Sequence, residues 1–84
     1  MDYAIYKTND GKNPRVIHRF TQEACNHKAK KAAKAKLLEM WQRVVRQGYA
    51  YGNNADGSKE DEFSYDYPTS TETKERIRFY IAKL

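Results

Sequence analysis

Residues 22–47, QEACNHKAKKAAKAKLLEMWQRVVRQ, decide how this chain folds. No glycine or proline interrupts them. Ala, Lys, Leu, Glu, Met and Arg dominate, and these are residues that lose little on entering a helix. Ala29, Ala33, Leu37, Met40, Trp41 and Val44 recur at steps of three and four, which lays one apolar stripe along a helix. Thr21 stands where an N-cap is expected, Glu23 and Ala24 suit the first turn, and Gly48 is a natural stop. The spacing predicts one long helix over residues 22–47.

A helix with a single apolar stripe must bury it against another element, and the flanking segments read as strands. Residues 2–8 hold the aromatic and branched side chains that a pleated surface favours. Residues 9–14, Asn-Asp-Gly-Lys-Asn-Pro, are dense in turn formers. Residues 15–20 resume a strand, with Val16, His18 and Phe20 on one side and Arg15, Ile17 and Arg19 on the other. Beyond the helix, residues 49–59 form an irregular connection. Residues 61–67 then alternate Phe63, Tyr65 and Tyr67 against Glu62, Ser64 and Asp66, and Pro68 ends that strand. Residues 75–84 fit either a strand, through Ile77, Phe79 and Ile81, or a helix, through Ile77, Tyr80, Ile81 and Leu84. Their branched and aromatic content favours the strand. The expected fold is α+β: a single domain with an antiparallel sheet of about four strands, ordered β-β-α-β-β along the chain, and the long helix on one face. Leu37, Trp41, Val44, Val16, Phe20, Ile77 and Ile81 are the expected core.

Eighty-four residues leave no room for a second core, and 13% aromatic content is too high for a disordered polyelectrolyte. No run approaches the roughly 20 apolar residues of a membrane helix, nor does the start read as a signal peptide. A cytoplasmic protein without a membrane partner is expected. Cys25 is the sole cysteine, which excludes an internal disulfide.

Catalytic and metal chemistry lack the residues they need. Cys25 and His27 stand two apart on a helix and point in different directions, and His18 has no local signature that joins it to either. Two isolated histidines and one cysteine do not make a zinc site. Asn54-Ala55-Asp56-Gly57 has the flavour of a calcium loop, but with Gly57 as the turn glycine the twelfth position is Phe63 where a glutamate belongs. No glycine-rich loop joins a strand to a helix start. A non-enzymatic chain with no catalytic residue, metal or cofactor is expected.

Charge is the remaining signal. The formal net charge is +5, but residues 1–48 carry eleven cations and four anions, while residues 49–84 carry five cations and seven anions. Along the helix, His27, Lys30, Lys31 and Lys34 share a flank that becomes apolar at Leu38, Trp41 and Val45. That change predicts a first half, with Lys28 and Lys36 nearby, that projects beyond the core or skirts its edge. A second basic bank is expected on the sheet face away from the helix, from Arg15, Arg19, Arg76 and Arg78 interleaved with Ile17 and Tyr80. Cross-strand pairing of those arginines to Glu62 and Asp66 is the plainer alternative. The acidic strip Asp56, Glu60, Asp61, Glu62 and Asp66 encloses Phe63, Tyr65 and Tyr67.

Two functional expectations follow. In the first, Lys28, Lys30, Lys31 and Lys34, with Arg15, Arg19, Arg76 and Arg78, bind DNA or RNA through its phosphates. In the second, Asp61, Glu62, Tyr65 and Tyr67 dock on a basic, nucleic-acid-binding surface of a host protein. A structural subunit that pairs its strand edges with another copy is a third. In size, lone helix and strand-rich flanks, the chain resembles small accessory proteins of bacteriophages and mobile elements. That group includes inhibitors of host nucleic-acid enzymes and anti-CRISPR proteins, and the likeness implies an inhibitor of a nucleic-acid machine. Tyr3 to Lys31, a hairpin followed by an Ala/Lys helix, also resembles the arm-binding domains of phage integrases. Those have three strands before the helix, where two are readable here.

Overall fold

The computed structural model describes residues 2–21 and 28–84. Asp10 (φ 52°) and Gly11 (φ 74°) both take left-handed backbone, so Asn9 to Lys12 is a two-residue hairpin turn whose twist matches its strands. The turn expected over residues 9–14 contracts to these two. The strand expected at Arg15 begins at Lys12 and runs through Pro14. The hairpin strands are β1 (Tyr3–Asn9) and β2 (Lys12–Phe20). After the helix α1 (Ala29–Arg46) come a single 3-10 turn (Gly52–Asn54), β3 (Ala55–Asp56), β4 (Glu62–Pro68) and β5 (Lys74–Lys83). The sheet order is β2-β1-β5-β4-β3, antiparallel throughout. The fold is α+β as expected, with five strands because the short β3 adds to β4, and residues 75–84 are strand.

One face of the sheet meets α1. Ile5, Phe63, Ile77 and Phe79 pack there with Leu37 and Val44, while Trp41, Met40, Phe20, Ile81 and Tyr65 close the edges. The aromatic side of this core is continuous: Phe63 lies 5.0 Å from Phe79 and 5.4 Å from Trp41, centroid to centroid. Gly48, at φ 84°, ends the helix, and its N–H bonds the Val45 carbonyl at 3.1 Å. The chain then turns back so that Tyr49 lies against Tyr65 and Tyr67.

Three expectations are corrected. The described helix begins at Ala29, and Lys28 precedes it with non-helical backbone, φ −114° and ψ 22°. An Ala/Lys composition permits a helix without dictating where it starts. The expectations for Gln22 to His27, and the cap at Thr21 that depends on them, lie outside the described residues. Second, the first half of α1 does not project. Ala29 and Ala33 are buried at 4% and 0% exposure, because alanine lets the helix approach the sheet closely. It is the flank of the second half that stays open: Leu38 is 57% and Val45 49% exposed. Third, β2 carries a bulge. Ile5 pairs with His18 and Tyr6 with Val16, so Ile17 is an extra residue. Ile17, not Val16, packs against the core. Val16 lies opposite Tyr6 on the outer face, and Arg15, opposite Lys7, moves to the helix side while Arg19 stays outside.

Among the described residues no helix is long and apolar enough to cross a membrane.

Candidate nucleic-acid interface

The cations of this chain fall into two populations. On the outer sheet face, β5 sets Arg76 opposite Asp66 and Arg78 opposite Ser64. The Arg76 guanidinium donates to Asp66 Oδ1 at 3.2 Å, to Ser64 Oγ at 3.0 Å and to the Asn54 carbonyl at 3.1 Å. Arg78 Nε donates to Glu62 Oε2 at 2.6 Å, and its guanidinium sits 4.4 Å over the Tyr80 ring, which in turn stacks on Tyr6. Lys59 adds a second bond to Glu62 at 2.9 Å, and Lys74 reaches Asp66 at 3.3 Å. Bonds from Lys59 and then Arg78 hold the Glu62 carboxyl below its ordinary range. Burial alone would raise Asp66, but bonds from Arg76 and Lys74 outweigh it and keep that carboxyl low as well. The cross-strand pairs to Glu62 and Asp66 are thus present, and Arg76 and Arg78 are committed to them.

The second population lies on α1 and the hairpin. None of the ion pairs among the described residues engages Lys28, Lys30 or Lys31, nor Arg15 or Arg19. Lys30 Nζ stands 6.0 Å over the Tyr3 ring. Tyr3 pairs with Lys83 on β5, so this exposed lysine, missed by an inspection of helix periodicity, belongs to the same end of the molecule. Lys34 makes an exposed contact with Glu60 at 3.4 Å, and Lys36 one with Glu39 at 3.6 Å. The first turn of α1 contains no acid. That is an unfavourable place for lysines, because a helix start carries partial positive charge of its own, and the two potentials add. The eight cations expected to act together are therefore divided. Lys28, Lys30, Lys31 and Lys34 form a ridge, Arg15 and Arg19 face opposite sides of an edge strand, and Arg76 and Arg78 are neutralised.

The acidic strip is divided too. Alternation puts Glu62 on the outer face and Tyr65 on the helix side, where burial raises its phenol. Tyr67, partly exposed, lies 5.2 Å from Tyr49, and its neighbouring phenol raises that of Tyr49. Of the four expected docking residues, Asp61 and Tyr67 remain open to solvent, while Glu62 and Tyr65 are engaged within the fold.

Beside the ridge runs a groove of about 450 Å³ between α1 and residues 57–63. Ala35, Leu37, Leu38, Trp41 and Phe63 line it, with Lys31, Lys34, Lys59, Glu60 and Glu62 at its rim. Gly57 is required there. A Cβ on it would lie 2.2 Å from Trp41 Cε2, so only glycine lets the loop close on the indole. The Leu38-Trp41-Val45 spacing signals this flank in the sequence, but its opposite wall comes from residues that the chain reaches only after a turn and a short strand. Comparison with known protein families, curated sequences and solved structures finds no match for this chain.

Proposed function

We propose that this protein binds nucleic acid through phosphate contacts made by Lys28, Lys30, Lys31 and Lys34. The observation that carries the reading is the separation of the cations. Lys74, Arg76 and Arg78 on β5 are matched to carboxylates, whereas none of the ion pairs among the described residues engages Lys28, Lys30 or Lys31, and the first turn of α1 contains no acid. Folding alone gives no reason to gather uncompensated lysines around a helix start, and a polyanion supplies one. The same geometry weakens the acidic-strip reading, because two of its four residues are engaged within the domain.

A labelled oligonucleotide titrated at increasing salt tests the reading. About four neutralised phosphates give a log–log slope near −3, or roughly a 60-fold loss of affinity between 50 and 200 mM salt. A probe that does not bind at 50 mM removes the proposal.

A further inference from the structure

Of the features outside the lysine ridge, the groove beside it is the most developed. Its floor is apolar, and its rim sets Lys31, Lys34 and Lys59 beside Glu60 and Glu62. It shares with the ridge Lys34 and Lys31, the latter engaged by none of the ion pairs among the described residues. Its shape suits a ligand with a flat apolar body and an anionic edge. Those two lysines are three residues apart, about 4.5 Å along the axis, and their long side chains can reach two neighbouring phosphates of one strand. A strand that follows the ridge arrives at the groove mouth.

We infer, resting on the reading above, that the groove receives a nucleobase from single-stranded nucleic acid, packed between Leu38 and Trp41, with its flanking phosphates on Lys31 and Lys34. Gly57 and Phe63 hold the indole in place before any ligand arrives, so little ordering is needed on binding. Lys34 is free to change partners, because its Glu60 contact is 3.4 Å long and the Glu60 side chain is 87% exposed. Stacking on Leu38 and Trp41 uses the face of a base and not its edges, so the fit is tolerant of sequence. A duplex keeps its bases stacked and paired and leaves the groove empty.

Trp41 is the sole tryptophan and lines the groove, so its emission responds to a ligand seated there. Wild-type protein is titrated with a labelled 12-nucleotide single strand and with the corresponding duplex, following probe anisotropy and Trp41 emission together. The single strand is expected to bind about tenfold tighter than the duplex and to quench Trp41 strongly, with the duplex leaving the emission unchanged. Leu38→Glu, at an exposed position where folding tolerates a charge, brings single-strand affinity down to the duplex level and removes the quenching. Glu60→Gln, which deletes the competing carboxylate, tightens single-strand binding by about twofold. If both probes bind alike and Trp41 emission does not move, the groove proposal fails and the ridge stands. If neither probe binds at 50 mM salt, both fall. Quenching of Trp41 by an acidic apolar peptide but not by oligonucleotides assigns the groove to a protein partner and overturns the inference.

Discussion

On the outer sheet face Arg76 and Arg78 lie within hydrogen-bond reach of carboxylates on the neighbouring strand, whereas Lys28, Lys30 and Lys31 face solvent at the start of α1 with no acid partner among the described residues. The two regions hold similar numbers of cations, and a charge count treats them alike. Their difference comes from register. Antiparallel pairing of β4 with β5 brings an anion to each arginine, while the first turn of α1 supplies no acid to Lys30 and Lys31. A cation's availability is set by what the fold places opposite it, and only the unmatched ones retain a field that reaches an incoming phosphate.

Reversing the ridge is the strongest way to break this comparison. Lys30, Lys31 and Lys34 replaced together by Glu should weaken oligonucleotide binding by about 100-fold or more at 50 mM salt. The urea midpoint should change little, since acids in place of Lys30 and Lys31 suit the first turn and Lys34→Glu gives up only an exposed contact with Glu60. A parallel collapse of stability would make the ridge a folding element and erase the contrast. The opposite result is expected for Arg76→Ala. It strips the partner from Asp66, Ser64 and the Asn54 carbonyl, costing about 1–3 kcal/mol of stability with binding unchanged.

Acid sharpens the same contrast. The Glu62 and Asp66 carboxyls sit below their unfolded values, so the stability they contribute is fully present above the ordinary carboxylate range and is lost as pH falls through their folded values. Urea midpoints at pH 7 and pH 3 should therefore differ less in the Glu62→Gln, Asp66→Asn double variant than in the wild type. The smallest effect is expected at Thr8, whose buried hydroxyl has no partner among the described residues. Thr8→Val should be neutral or gain up to about 1 kcal/mol, with binding unaffected, as thermal melts would show.

Much of the fold could be read from residue patterns. The helix stripe, the Asp10-Gly11 turn and the alternation of Phe63, Tyr65 and Tyr67 are local signals, and each led to its element. What could not be read was long-range. Nothing near Ile17 announces a bulge, yet that extra residue exchanges the roles of Val16 and Ile17 and separates Arg15 from Arg19. Alanine misled in a different way. The lysine flank of the first half read as projecting or skirting the core, when the small Ala29 and Ala33 on the stripe beside it seat that half on the sheet. For the candidate site, the lysines were visible in composition. The groove was not, because Gly57 meets Trp41 from sixteen positions away.

The irregularities of β2 also bear on how copies of this protein meet one another. β2 is an outer strand, and a regular one would offer a continuous row of backbone donors and acceptors to any strand that drifted past. Here Asn13 takes left-handed backbone, Pro14 lacks an N–H, and Ile17 puts the ladder out of step, so an added strand finds only short runs in phase. At the opposite edge β3 is two residues long. Both outer edges are thus poor templates for strand addition, which disfavours assembly of copies by that route.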